Sequence, residues 1–323
     1  MPGRASTHGI RQSIELKVTA IIPCYNAAPY VAEAIDSVVV QTRRVDEVLV
    51  IDDCSTDDSR EIAARYALRL LQTPRNSGHA AARNLGIRAA KGDVIAWLDA
   101  DDYWEPNHVE TVVGLLDRHP DAAVAFSGVR RVGAQSGLWS QFPCSDGPKR
   151  ILRDSFEATI VPAMSAATRK AALEQVGGFD ERIRISPDFD LWLRMSRDFL
   201  FVSTDAVTSN YRWHESQISA RPERQMASMW ASRARFLETL YDDGELDLLR
   251  DIEDVAARLW ESRLWMLWHQ ADMKELRAHL RTARFFSCEP ALARRFRMRR
   301  LLPAKLVEAW HQLSQRKSTA AQT

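Results

Sequence analysis

The sequence predicts an α/β fold, a sheet flanked by helices, followed by an α-helical appendage. Three observations predict it. Short apolar runs alternate with amphipathic stretches through the first half, the pattern of βαβ units. Two of those runs end in clustered carboxylates, Asp52-Asp53 and Asp99-Ala100-Asp101-Asp102, and open α/β sheets hold ligands at the carboxyl ends of their strands. From about Arg221 onward the apolar residues recur at helical spacing.

The elements follow in order. Val18–Ile22 reads as a strand ended by Pro23, and residues 29–41 as a helix with Val31, Ala34, Ile35 and Val38 on one face. Val48–Ile51 is the next strand, Ser59–Ala67 a helix, Leu68–Leu71 a strand and Ala80–Ala90 a helix closed by Gly92. Val94–Leu98 is apolar throughout, as expected of a strand buried on both faces. A helix over 106–116 and a strand at Ala123–Phe126 come next, then a Gly-, Ser- and Pro-rich surface loop over 133–153. Ile160–Thr168 reads as a strand, a short helix ends at Gly177-Gly178, and Asp188–Arg197 is helical. Met226, Met229, Trp230, Leu237 and Leu240, then Leu249, Ile252, Ala256, Leu259 and Trp260, form two amphipathic helical patterns. The expected organisation is a flexible leader over 1–16, a catalytic α/β domain over 17–220, and a helical region with a basic end over 221–323.

Composition narrows the function. Lys plus Arg (44) nearly balances Asp plus Glu (43), so no overall field favours nucleic acid. The four cysteines have no metal-type spacing and read as reduced, which suits a cytoplasmic protein. No secretory h-region opens the chain, and no segment approaches the roughly 20 apolar residues of a membrane span.

The carboxylates carry the chemistry. Asp99, Asp101 and Asp102 crowd together at the end of a buried strand, where anions repel and lose hydration unless something positive lies among them. Their oxygens suit Mg²⁺ or Mn²⁺, and Mg²⁺ commonly shares its shell with substrate phosphates. Asp52 and Asp53 end the neighbouring strand, so they line the same crevice and can accept hydrogen bonds from a base or a ribose. Asn76-Ser77-Gly78 leads into a helix carrying Arg83, a guanidinium suited to a diphosphate. No G-x-G-x-x-G follows the first strand and no P-loop pattern occurs, which argues against dinucleotide oxidoreductases and P-loop enzymes.

Together these stretches resemble glycosyltransferase family 2. The resemblance runs from Val18 through Pro23-Cys24-Tyr25-Asn26, Asp52-Asp53-Cys54-Ser55-Thr56-Asp57, Asn76-Ser77-Gly78 and Ala82-Arg83-Asn84. It continues in Asp99-Ala100-Asp101-Asp102, Gly177-Gly178-Phe179-Asp180, Asp188-Phe189-Asp190-Leu191-Trp192 and Tyr211-Arg212-Trp213-His214. It implies the GT-A fold, a Rossmann-like mixed sheet, and a nucleotide-sugar donor, with UDP-sugars favoured. By the same resemblance Pro23, Tyr25, Asp52 and Asp53 contact the nucleoside, and Asp99 and Asp101 form the D-x-D pair. Asp101 and Asp102 serve ribose and metal, with either one as the metal ligand, and His214 lies near metal or diphosphate. Asp188 aligns with the general base, although Pro187 stands where the family often has an acidic residue, and Asp190 is the competing base. The Q-x-x-R-W motif of processive polymerases is absent, so the expected reaction is transfer of a single sugar with inversion.

Two features concern partners. Between Arg281 and Lys317 stand ten basic residues against two acidic ones, interleaved with apolar side chains. That pattern suits an anionic membrane surface, at about 1 kcal/mol per nearby cation, and would bring a saccharide or lipid-linked acceptor to the site. The alternative function is a non-catalytic subunit of a polysaccharide-assembling complex. The intact acidic motifs count against it.

Overall fold

The computed structural model describes residues 15–134, 136–140, 147–214, 217, 222–270, 274–276 and 279. The basic stretch over 281–317 and most of the expected leader lie outside the described residues.

The chain divides into two compact units. The first comprises residues up to 150, 161–188 and 199–220; the second comprises 151–160, 189–198 and 221 onward. Segments 151–160 and 189–198 thus group with the C-terminal helices.

The first unit is built on a mixed sheet. Its strands are β1 (Val18–Cys24), β2 (Glu47–Asp52), β3 (Arg69–Gln72), β4 (Val94–Trp97), β5 (Tyr103–Trp104), β6 (Ala122–Gly133), β7 (Gly137–Ser140), β8 (Ala166–Arg169) and β9 (Leu200–Trp213). Their order is β3-β2-β1-β4-β8-β6-β9-β5, with β7 paired to β6. β1 runs parallel to both β2 and β4, whereas β8 is antiparallel to β4 and β6. Every residue of β1 and β4 is buried, which is why β4 reads as an unbroken apolar run and β1 as one interrupted only by Thr19.

Helices α1 (Val31–Val39), α2 (Ser59–Ala63), α3 (His79–Ala89), α4 (His108–Arg118) and α6 (Lys170–Gln175) belong to this unit. In α1 the buried Val31, Ala34, Ile35 and Val38 form one stripe; in α4, Val109, Val112, Val113 and Leu116 do the same. α3 has a weaker stripe and packs by close approach instead. A Cβ on Gly86 would lie 2.7 Å from Ile21 Cγ2 and 2.9 Å from its Cδ1. Gly86→Ala is therefore expected to lower stability by about 1–3 kcal/mol, despite alanine's better helix propensity. Urea unfolding checks this, and unchanged or raised stability would contradict the packing argument.

Several elements differ from the sequence reading, among them β5, which it did not contain, and β7, which lies within the expected surface loop over 133–153. The stretch expected as a strand over 160–168 is a 3₁₀ turn at Ala163–Ser165 followed by β8, because Pro162 cannot donate to a ladder. α5 (Leu152–Glu157) begins where a surface loop was expected to end. β9, fourteen residues long, follows directly on the helix starting at Pro187, and its polar Ser203, Thr208, Ser209 and Asn210 are buried.

The second unit packs α5, α8 (Pro222–Asp242) and α9 (Leu246–His269) with residues 189–198 of α7 (Pro187–Asp198). Phe156, Phe189, Trp230, Phe236, Leu240, Ile252, Trp260 and Leu264 form its core. Trp230 and Trp260 are helix-packing residues, as their spacing predicts. Arg233 is buried among them: its guanidinium donates to the carbonyls of Phe156 (2.6 Å) and Glu157 (2.8 Å) and lies 4.8 Å from the Phe189 ring. It thereby satisfies carbonyls at the end of α5 that have no intrahelical partner. No helix among the described residues is long and apolar enough to cross a membrane.

Candidate active site

The carboxyl ends of β1, β2 and β4 meet where the strand order reverses, since β2 lies on one side of β1 and β4 on the other. Asn26 just after β1 (φ 50°) and Cys54 just after β2 (φ 62°) are left-handed, so both turns are sharp.

Asp52 and Asp53 are neighbours in sequence with opposite surroundings. Asp53 Oδ1 accepts from Thr73 Oγ1 (2.6 Å) and the Ser77 N–H (2.8 Å), while Oδ2 accepts from the Gly78 N–H (2.6 Å). It therefore fixes the loop that leads into α3. Asp52 accepts from the Ser55 N–H (3.1 Å), and its buried Oδ2 has no hydrogen-bond partner among the described residues. Asp53 lines a cavity of about 200 Å³ together with Pro23, Tyr25, Gly78, His79 and Arg184; Asp52 does not. Tyr25 is 46% exposed, as a stacking surface requires. Cys24, on the same wall, is inert: burial pushes its thiol up to about 12.

Arg83 and Asn84 tie α3 to the rest of the site. Arg83 is an ion-pair partner of Asp99 at 2.5 Å, with its guanidinium over the Phe179 ring. Only 5% of its side chain is exposed, so it holds Asp99 in place rather than standing open to a ligand. Asn84 donates to the Phe179 carbonyl and accepts from the Phe179 N–H, both at 2.9 Å. A Cβ on Gly178 would lie 2.6 Å from Asn84 Oδ1, so the A-R-N and G-G-F-D stretches form one joint that needs this glycine.

Asp101 and Asp102 also diverge. Asp101 Oδ2 lies 3.0 Å from His214 Nε2 and accepts from Gln217 Nε2 at 3.3 Å. Burial works to raise its pKa, but the hydrogen bonds from His214 and Gln217 outweigh that and hold it below the usual carboxylate value. Asp102 is buried; its Oδ1 accepts from the Arg212 N–H (2.8 Å), while Oδ2 has no hydrogen-bond partner among the described residues. Burial first, then the charges of Asp101 and Asp99, push its pKa well above the ordinary value. Arg212 donates to the Asp101 carbonyl (3.0 Å), and His214 stacks on Tyr30 at 5.2 Å between centroids. The end of β9 is thus fastened to the D-x-D turn.

Among the described residues, no group of three or more His, Cys, Asp or Glu is gathered as a metal site. Asp101 and His214 are brought together; Asp102, the third expected ligand, points to backbone instead. The donor set nonetheless suits a hard cation that takes most of its ligands from phosphate oxygens and water. A buried carboxylate oxygen on Asp102 with no hydrogen-bond partner among the described residues is the observation that fits it.

Asp188 lies in the first turn of α7, half-buried, after Ser186, a third left-handed residue (φ 51°), and Pro187. Asp190, the competing base, is buried and paired: Arg194 Nε donates to it at 2.8 Å and Arg235 at 3.3 Å, all within the second unit. Sequence reasoning missed three residues. Gln217 bridges Asp101 and Tyr211, while His79 and Arg184 line the cavity. Burial and Arg83 lower the His79 pKa, so its imidazole is neutral at pH 7. His79 directly follows Asn76-Ser77-Gly78, the one signal that could have flagged it.

Comparison with known proteins bears on the family and the fold. The family model for glycosyl transferase family 2 matches residues 19–177. An uncharacterized glycosyltransferase of Rickettsia prowazekii is 29% identical over 213 residues, which are 63% of this chain and 63% of that protein's own length. Among solved structures, residues 1–349 of S. aureus TarS in complex with UDP-GlcNAc superpose with a TM-score of 0.68 at 19% identity, covering 92% of each chain. The mannosyltransferase PcManGT of Pyrobaculum calidifontis, in complex with GDP-Man and Mn²⁺, gives 0.59 at 22% identity, covering 92% of this chain and 84% of that one. The mixed sheet with its crevice at the ends of β1, β2 and β4 is a GT-A fold. Through residues 19–177 the chain belongs to glycosyl transferase family 2.

Proposed function

We propose that this glycosyltransferase is inverting and moves a single sugar from a nucleotide-diphospho-sugar to an acceptor hydroxyl, in polysaccharide or glycoconjugate synthesis. The observation that carries the reading is the Asp101–His214 pair at the carboxyl edge of the sheet. The same edge bears the cavity that Tyr25 and Asp53 line. In this reading Pro23, Tyr25 and Asp53 hold the nucleoside, and Asp52 supports the turn behind them through Ser55. Asp99, fixed by Arg83, and Asp101 face the ribose and diphosphate. A divalent cation, Mg²⁺ or Mn²⁺, held by Asp101 and His214 with Asp102 behind them, would neutralise charge developing on the leaving nucleoside diphosphate. Asp188 takes the proton from the acceptor hydroxyl as that oxygen attacks the anomeric carbon opposite the departing diphosphate. One in-line displacement inverts the configuration, and no covalent nucleophile is needed.

TarS was solved with UDP-GlcNAc and PcManGT with GDP-Man, so uracil and guanine are the bases to try first. A lipid-linked acceptor, met at the cytoplasmic face of an anionic membrane, belongs to the same reading through the basic residues over 281–317.

Thermal melts of the full chain with UDP, GDP, CDP and ADP, with Mn²⁺ or with chelator, test the proposal. One diphosphate is expected to raise the melting temperature only when Mn²⁺ is present. At a hundredfold excess over Kd the gain is about 2.7 kcal/mol. If no nucleotide shifts the melt under either condition, the donor assignment fails.

A further inference from the structure

The cavity beside Tyr25 raises a question of charge. A nucleoside diphosphate entering it meets the carboxylate of Asp53 on its wall and those of Asp99 and Asp101 on the D-x-D turn, which repel phosphate. Arg83, the guanidinium that the sequence offers for the diphosphate, is already committed to Asp99 at 2.5 Å and nearly enclosed. His79 lines the cavity as a neutral ring.

One cation remains on the wall. Arg184, on the segment between Phe179 and α7, lies across Gly78: a Cβ on Gly78 would be 2.5 Å from Arg184 Nη1 and 3.3 Å from its Cδ. Gly78 itself is at φ +88°, so the position both demands glycine and leaves room for the guanidinium. Gly78 is also the residue whose N–H holds Asp53, so Arg184 lies on the cavity wall close to Asp53 and not on a remote face. Arg184 is exposed, and among the described residues it has no ion pair or hydrogen bond to occupy its donors. A planar group with five donors, unpartnered on the wall of a cavity crowded by carboxylates, suits the oxygens of a phosphate.

We propose that Arg184, not Arg83, is the guanidinium that binds the diphosphate of the nucleotide donor. The inference rests on the nucleotide-sugar reading above and adds to it a residue that determines donor affinity. Arg83 then has a different part, holding Asp99 in position.

The test compares the full-length wild type with Arg184→Ala and Arg184→Lys. Binding of UDP, GDP, CDP and ADP in Mn²⁺ is read by calorimetry, and of the matching nucleosides by ligand-observed NMR. Arg184→Ala is expected to weaken the diphosphate that the wild type binds by about 10- to 100-fold, the range for a charge-assisted hydrogen bond. Its affinity for the matching nucleoside and its melting temperature without ligand stay unchanged, while Arg184→Lys keeps part of the diphosphate affinity. Unchanged diphosphate binding by Arg184→Ala overturns the inference and leaves the donor assignment standing. An equal loss for diphosphate and nucleoside also overturns it, since the contact would then be to base or ribose. If the wild type binds none of UDP, GDP, CDP and ADP, the nucleotide-sugar reading falls and this inference falls with it.

Discussion

Asp101→Asn is expected to lower sugar transfer by roughly 10²- to 10³-fold, the scale of losing metal-assisted charge stabilisation. Asparagine keeps the shape and the hydrogen-bonding reach toward Gln217, so the melting temperature and circular dichroism should stay close to wild type. Asp102→Asn makes the informative contrast. Its Oδ1 can still accept the Arg212 N–H, and the substitution removes a buried carboxylate that burial, Asp101 and Asp99 already disfavour as an anion. A smaller loss of activity is therefore expected, and the reverse order would make Asp102 the residue facing the donor. The two variants are compared by kcat/KM at saturating Mn²⁺. Full wild-type activity in excess chelator would remove the cation from the account altogether.

The second large effect concerns the acceptor. Asp188→Asn is expected to reduce kcat by about 10²-fold or more while leaving nucleotide affinity in place, as loss of a general base does. Asp190 is the control two residues along. Its oxygens accept from Arg194 and Arg235, so Asp190→Asn should reveal itself as a lower melting temperature rather than as lost chemistry in the surviving folded protein. Both variants are measured for donor binding, turnover and thermal stability. Loss of turnover in Asp190→Asn with stability intact, and not in Asp188→Asn, would mean that the base has been placed two residues too early.

Two of the strands that build the crevice, β2 and β4, announce themselves twice, by an apolar run and by the carboxylates ending it, while β1 shows only the run. Val94–Trp97 before Asp99 is the clearest case. β9 was hidden for a physical reason. Its Ser203, Thr208, Ser209 and Asn210 are buried, the last three of them hydrogen-bonded, so neither alternation nor an apolar run marks the strand. Adjacent acids carry a further ambiguity that no spacing resolves. Asp52 and Asp53, like Asp101 and Asp102, look equivalent as letters, yet successive residues at a strand end face different surroundings. One of each pair meets the cavity or His214; the other turns to backbone. Gln217 and Arg184 had no signal at all, being single polar residues in irregular segments whose neighbours are distant in sequence. Arg83 shows the opposite hazard: its place in a recognisable stretch suggested a ligand contact, and its guanidinium is taken up by Asp99.

Asn26, Cys54 and Ser186 are the described non-glycine residues with positive φ, and each borders the crevice or the entry to α7. A residue held in that region costs on the order of 1–3 kcal/mol and persists only while its surroundings over-determine it. The rim consequently depends on its surroundings to hold these three turns. A cavity cut in the core beneath β1 or β2 need not unfold the chain to silence it. It has only to let these three turns relax to ordinary backbone, and the carboxylates they aim would then drift while the sheet beneath them stayed whole.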